Sequence, residues 1–125
     1  MANIDNLLRD LGNEIPGFIA ATVAGNDGLL IGYYSRKAEV DPEMISAQFA
    51  LVMSLVRRVA SKLEAGTVED NLVTTRDFYA INQSLGDGTY WLGVMASREA
   101  KLGALRMYLR QYAGALSKAL PGSQI

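Results

Sequence analysis

The sequence offers few side chains that could carry out chemistry. Its 125 residues include no Cys and no His. These absences exclude disulfides, thiol nucleophiles and thiolate metal sites, and they remove the commonest general base and metal ligand. Carboxylate chemistry stays open through Asp77 and Asp87, but both stand in predicted turns, where Asp is expected for conformational reasons. The residue types therefore favour a protein that is not an enzyme and has no cofactor.

Two arginines and one glycine-rich stretch are the remaining candidates for phosphate chemistry. Arg57 and Arg58 lie in a long apolar segment. An arginine supplied to another protein's active site can stabilise charge on a phosphoryl group in transfer, although a solvated helix face is the preferred explanation of both residues. The stretch GNDG at 25–28 is not a phosphate-binding loop, because no Gly-Lys-Ser/Thr follows it and no helix begins there. Its Asn26 and Asp27 instead predict the turn of a β-hairpin.

The elements that would position these residues are organised around one long predicted helix between Asp41 and Gly66. Asp41 is suited to cap the N-terminus, Pro42 to stand in the first turn, and Gly66 to end the helix in the left-handed conformation. The main apolar periodicity predicts a core face, and its members are Ile45, Phe49, Val52, Val56, Val59 and Leu63.

The same helix carries a second apolar line, formed by Met44, Leu51 and Leu55, which points away from the predicted core face. A helix with two apolar lines needs two bodies to bury against, and in a chain this short we predict that the second is another copy of the chain. A third line of small and polar side chains is the predicted partner-binding surface. It comprises Ser46, Ala50, Ser54, Arg57 and Ser61, with Arg58 and Lys62 beside it.

The other segments complete a predicted order α-β-β-α-β-β-β-α. Helices are predicted over 3–14 and from Ser97 to residue 120, and strands over 18–24, 29–34, 67–75, 78–85 and 89–96. The last helix has a predicted core stripe of Leu102, Leu105, Leu109, Tyr112, Leu116 and Leu120. Short connections between the strands predict a mainly antiparallel sheet with helices on both faces.

The character of the strands also predicts their places in the sheet. The first two strands are apolar almost throughout, which predicts that both are covered on both faces. The segment 67–75 is polar, as an exposed edge strand is. The segment 89–96 is the most apolar strand and is predicted to be central.

Length and composition indicate one domain over residues 1–125, with a frayed tail at 123–125. The formal net charge is −1, without a block of like charges, which argues against nucleic acid as the main partner. The first residues, MANIDNLLRD, lack the basic segment and apolar run of a signal peptide. No continuous apolar run reaches the roughly 20 residues of a membrane span. We therefore expect a soluble, cytoplasmic protein without membrane insertion.

Three stretches together resemble the Roadblock (dynein light chain Roadblock-type) domain family. They are LLRDLGNEIPGFIAATVAGNDGLLIG, the long central helix, and YWLGVMASREAKLGALRMYLRQY. The resemblance covers nearly the whole chain and implies a three-layer sandwich around a five-stranded antiparallel sheet. It also implies a homodimer in which the third strands pair across a two-fold axis and the central helices lie side by side. The predicted dimer interface is then Met44, Leu51, Leu55, Val68, Asp70, Leu72 and Thr74.

The resemblance implies a function as well. Bacterial and archaeal members of the family typically regulate small Ras-like GTPases, and activators among them are understood to reshape the GTPase without an active site of their own. The resemblance includes no motif that would assign an arginine of this chain to the active site of the GTPase. We therefore predict a homodimeric regulator or scaffold that binds a small Ras-like GTPase and modulates its nucleotide cycle.

Two alternatives stay open. One is an adaptor subunit for cargo or a complex, without a GTPase partner. The other is a small-molecule sensor whose pocket would use Asp77 or Asp87 and the strand aromatics Tyr33, Tyr34, Tyr79, Tyr90 and Trp91. Aromatic residues on strands more often serve cross-strand packing.

Overall fold

Residues 3–122, the part of the chain that the computed structural model describes, form three helices and a five-stranded antiparallel sheet. The elements in chain order are α1 (Ile4–Glu14), β1 (Phe18–Gly25), β2 (Leu30–Ser35), α2 (Pro42–Lys62), β3 (Asp70–Thr74), β4 (Phe78–Leu85), β5 (Tyr90–Ser97) and α3 (Leu102–Lys118). The predicted order and fold class are confirmed. The predicted frayed tail at 123–125 lies outside the described residues.

The strands are arranged β2-β1-β5-β4-β3, and every neighbouring pair is antiparallel. The apolar β5 is therefore central and the polar β3 is an edge strand, as predicted. The prediction that β2 is covered on both faces is wrong. It is the other edge strand, and the side chain of Tyr33 is 47% exposed.

The hydrophobic core lies on one face of the sheet, beneath α1 and α3. The sheet side of this core includes Ala21 and Val23 of β1 and Leu92 and Val94 of β5. Fully buried leucines from both helices fill it, namely Leu8, Leu11, Leu105, Leu109 and Leu116. The predicted stripe of α3 is thus largely confirmed, because its leucines recur with the helical period on the side that meets the sheet.

The opposite face of the sheet is covered by α2 alone, which packs against β1 and β2. A row of small and polar residues crosses this face in register, from Thr22 through Gly93 and Asn82 to Asn71. The ring of Phe49 occupies the place that a Cβ on Gly93 would take. Gly93 therefore lets α2 approach the middle of the sheet closely.

The N-terminus of α2 is confirmed and its C-terminus is not. The Asp41 carboxylate accepts hydrogen bonds from the backbone N–H groups of Glu43 (3.0 Å) and Met44 (3.3 Å). The helix ends at Lys62, before the predicted glycine, because Glu64 already takes the left-handed conformation with φ of 53°. An acidic residue in that conformation carries no sequence signal comparable to glycine.

The predicted start of α3 is wrong. Ser97 is the last residue of β5, and its N–H donates to the Gly17 carbonyl at 2.8 Å. Its hydroxyl oxygen accepts from the Glu99 N–H at 3.4 Å within a turn. The helix begins at Leu102 without a side-chain cap. The serine therefore organises the turn before the helix and not the helix itself.

The close approach at Gly93 can be tested by substitution. Gly93→Ala places a Cβ against Phe49, so we expect destabilisation by about 1–3 kcal/mol. Gly114→Ala is the matched control, because no heavy atom lies within 4 Å of its added Cβ and α3 gains up to about 1 kcal/mol of helix propensity. Denaturant unfolding measures both. Equal effects of the two substitutions would contradict the packing of Phe49 over Gly93.

Candidate protein-binding surface

The side of α2 that points away from the sheet is apolar and open to solvent. Five large side chains there are between 52% and 72% exposed, and we call them the outer apolar face: Met44, Leu51, Leu55, Val59 and Leu63. Isolated exposed apolar residues are normal on protein surfaces, but a continuous set on one helix marks an interaction site. The predicted second apolar line is thus part of an exposed surface.

By length and composition α2 would also qualify as a helix that crosses a membrane. Its 18-residue window has a mean hydropathy of 1.2, and only 11% of that window is buried. The prediction that no segment is long and apolar enough to span a membrane is therefore wrong for α2. Scattered polar residues interrupt its apolar run but lower its mean hydropathy only a little. A core helix of the same hydropathy would be mostly buried. Little of this helix is buried within the described residues.

The predicted core face of α2 is confirmed only in part. The ring of Phe49 packs onto Gly93 in the middle of the sheet, and Ile45, Val52 and Val56 are half-buried. Val59 and Leu63 instead belong to the outer apolar face. The residues of α2 that are fully buried are Ser46 and Met53.

The predicted partner-binding line is divided by the structure. Ser46 is 1% exposed, and its hydroxyl lies within hydrogen-bond distance of the carbonyl oxygens of Gly28 (3.2 Å) and Glu43 (3.1 Å). Ala50 packs beside Gly28. Both face the chain's own sheet and cannot form an outer surface. The exposed members are Ser54, Arg58, Ser61 and Lys62, for which partner binding stays a prediction.

Arg57 is not part of a solvated helix face. Its guanidinium carbon lies 5.8 Å from the centre of the Trp91 ring, and the Trp91 indole N–H donates to the Asn26 side-chain oxygen at 2.7 Å. The Nη1 atom of Arg57 is buried and has no hydrogen-bond partner among residues 3–122. Arg58 remains exposed. In this conformation Arg57 is held against the sheet and is not presented to another protein's active site.

Sequence reasoning missed the polar floor beneath Arg57. Thr22 and Asn82 are both almost fully buried on the α2 side of the sheet. A signal was present, since Thr22 interrupts the otherwise apolar β1 and Asn82 stands in the middle of β4. Polar side chains at such positions mark a face that does not pack as an apolar core.

The outer edge of β3 is open, because within the described residues β3 pairs only with β4. Of the predicted interface residues near this edge, Thr74 is exposed and Val68, Asp70 and Leu72 are half-buried. The Asp70 carboxylate accepts from Arg106 of α3 at 2.8 Å. Its side chain is therefore turned to α3, and any part it plays in pairing comes from its backbone. The free N–H and C=O groups of such an edge can pair with another strand.

No family model and no curated protein sequence matches this chain. Solved structures do match. A Roadblock/LC7 domain from Streptomyces avermitilis superposes with a TM-score of 0.86 at 20% identity, covering 94% of this chain and 98% of that one. This chain has the Roadblock/LC7 fold. Myxococcus xanthus MglB matches with a TM-score of 0.84 at 14% identity over 93% of both chains. MglB in a tetrameric arrangement matches with a TM-score of 0.81 at 14% identity, over 92% of this chain and 85% of that one.

The second edge of this Roadblock/LC7 sheet is closed by α1. The Asp5 carboxylate accepts a hydrogen bond from the outward-pointing N–H of Tyr33 in β2 at 2.8 Å. The side chain of Ile4 lies where a Cβ on Gly32 would stand, so α1 sits directly over the strand. Covering an edge in this way prevents further strand pairing. The two edges therefore differ, and β3 is the one available to a partner.

The aromatic residues proposed for a sensor pocket do not converge in this Roadblock/LC7 domain. Tyr33 and Trp91 lie on the α2 side of the sheet. Tyr34, Tyr79 and Tyr90 pack against the core on the opposite side. A single pocket lined by all five is therefore ruled out by the register of the strands.

The two acids proposed for such a pocket serve turns. Hydrogen bonds from the Thr89 hydroxyl and the Thr89 backbone N–H lower the pKa of Asp87, and the N–H donates at 3.0 Å. A general acid at neutral pH needs a raised pKa, so Asp87 is unsuited to that role. Asp77 is largely exposed, and its Oδ1 atom lies 3.5 Å from Nε of Arg76.

The closed β2 edge yields a prediction. Asp5→Ala leaves the Tyr33 N–H without its acceptor, so we expect a loss of about 1 kcal/mol and new concentration-dependent oligomers. Asp5→Asn keeps a side-chain carbonyl acceptor and should behave closer to wild type. Urea unfolding and light scattering measure the two effects. If light scattering gives the same molecular mass for Asp5→Ala and wild type, Asp5 does not prevent strand pairing at the β2 edge.

Proposed function

We propose that this protein is a homodimeric, non-enzymatic regulator that binds a small Ras-like GTPase in the cytoplasm and modulates its nucleotide cycle. Two observations together carry the proposal: the outer apolar face of α2 and the open edge of β3, in a chain with the Roadblock/LC7 fold. The resemblance of the sequence to the Roadblock family supports the GTPase as partner.

Magnitudes favour a dimer that uses both the helix and the strand. Burying one side chain of this size fully is worth about 1.5–3 kcal/mol, and the five of the outer apolar face are a little more than half exposed. Two copies of the face therefore contribute on the order of 10 kcal/mol, against about 4–15 kcal/mol lost in association. The helices alone give a marginal dimer. Hydrogen bonds between two β3 edges about a two-fold axis would supply the remainder.

The surface left for a GTPase is the exposed polar strip of α2, formed by Ser54, Arg58, Ser61 and Lys62. Arg58 and Lys62 give this strip a positive charge near the C-terminal end of the helix, which favours an acidic partner surface. The proposal assigns no catalytic residue to the regulator, since Arg57 is turned toward the sheet. Any effect on hydrolysis then acts through the conformation of the GTPase.

The proposed dimer can be tested by introducing charged side chains into its interface. Leu51→Asp combined with Leu55→Asp places two carboxylates in each half of an apolar interface, which costs several kcal/mol and should give monomers. Sedimentation equilibrium at micromolar concentration measures the mass. Met107→Asp is the matched control, because Met107 is 45% exposed on α3, on the opposite face of the sheet.

Two results would count against this dimer. An unchanged mass for the double variant places the interface elsewhere. A wild-type monomer at micromolar concentration removes the two-fold arrangement altogether. Circular dichroism of the double variant distinguishes dissociation from unfolding.

The partner is tested by capture from lysate of the source organism with the tagged dimer, once with GDP and once with a non-hydrolysable GTP analogue. We expect a small GTPase only with the GTP analogue, and weaker capture by Arg58→Glu combined with Lys62→Glu. Capture in both nucleotide states would indicate a scaffold. Capture of other proteins alone would support the adaptor alternative and refute the GTPase proposal.

A further inference from the structure

A small polar cavity lies between α2 and the sheet. The centre of a water-sized sphere can move within about 10 Å³ of this cavity. The cavity therefore has room for about one water molecule. Arg57 and Met53 of α2 line one side, and Thr22, Asn82 and Trp91 of three different strands line the other. The cavity is therefore built by the tertiary fold and not by a single loop or helix end.

One polar group at this cavity has no hydrogen-bond partner in the described part of the chain, and it is Nη1 of Arg57, which is buried. The polar side chains of Thr22 and Asn82 line the same space and are 2% and 3% exposed. The neighbouring indole N–H of Trp91 is already used by Asn26. Buried polar groups are normally paired, so an unpaired guanidinium nitrogen beside two buried polar side chains indicates a ligand there.

The charge at the cavity indicates the kind of ligand. No acidic side chain is among the residues that line it. The ion pairs formed within residues 3–122 are Arg9–Asp10, Arg76–Asp77 and Arg106–Asp70, so Arg57 forms no ion pair there. A buried guanidinium nitrogen without a partner is unfavourable, and an anion compensates its charge where a neutral water molecule does not.

We propose that this cavity binds one small monovalent anion of the size of chloride. The Arg57 guanidinium supplies the charge, and the Asn82 amide and Thr22 hydroxyl supply further hydrogen-bond donors. The face of the Trp91 ring positions the guanidinium, because a cation is attracted to the face of an aromatic ring.

The bound anion fastens α2 to the sheet. Only Ser46 and Met53 of this 21-residue helix are fully buried, so few contacts hold it. An ion held by Arg57 on one side and by β1 and β4 on the other adds a link across this thin interface. The position of the outer apolar face then depends on the anion.

The experiment measures the midpoint of thermal unfolding of the full chain while sodium gluconate is replaced by sodium chloride at constant ionic strength. Gluconate is too large for the cavity. The unfolding midpoint of wild type should rise by several degrees with chloride concentration and reach a plateau, because a ligand that binds only the folded state stabilises it. Arg57→Gln should lose the saturable rise. Arg58→Gln, an exposed arginine on the same helix, should keep it.

A chloride dependence that is the same in wild type and Arg57→Gln overturns the proposal, since it would be a general salt effect. If Arg57→Gln does not fold, crystals of wild type grown in bromide decide the question. An anomalous bromide peak within hydrogen-bond distance of Arg57 Nη1 and Asn82 supports the site. A water molecule or no density at that position overturns it.

Discussion

A sheet of five strands has two broad faces, and residues 3–122 form three helices with which to cover them. Two of the helices share one face and enclose the leucine-rich core. The third, α2, lies on the other face over β1 and β2, and reaches β5 through Phe49 and Arg57. The part of this face near β3 has no helix above it, and Val73 there is 41% exposed. This unequal cover is the constraint on which the other features depend.

The helix on that face carries large side chains on both of its sides. Phe49, Met53 and Arg57 lie on the side toward the sheet, above a floor that contains Gly93 and Asn82. The side toward solvent carries the outer apolar face. An ordinary surface helix is polar on that side. A second apolar side is what the chain would need if the helix also made apolar contacts with another molecule.

The sequence predicted the elements well and the orientation of α2 badly. Asp41 as a cap and the edge position of β3 both follow from local rules of hydrogen bonding and strand composition, and both were confirmed. Apolar periodicity shows that a helix face is to be buried, but it does not show in which molecule. Val59 and Leu63 were therefore assigned to the chain's own core when they belong to the outer apolar face.

The candidate site was only partly predictable for a related reason. Arg57 was singled out from its residue type, but its setting comes from Trp91 and Asn82, which are distant in sequence and meet it only in the folded sheet. Likewise, nothing local shows that Asp5 would reach the N–H of Tyr33. Both contacts depend on how helices lie across strands. Spacing along one element does not contain that information.

The strand order also has a consequence for the order of folding. The two central strands come from opposite ends of the chain, with Ala21 of β1 paired to Val94 of β5. Such distant pairing is slow, since the intervening loop must be closed before the contacts form. On the ribosome, β1 and α2 are synthesised long before β5, so the core remains incomplete while the apolar helix is already exposed. The nascent chain is then most exposed to aggregation, and an early encounter with a second copy or a chaperone would protect it.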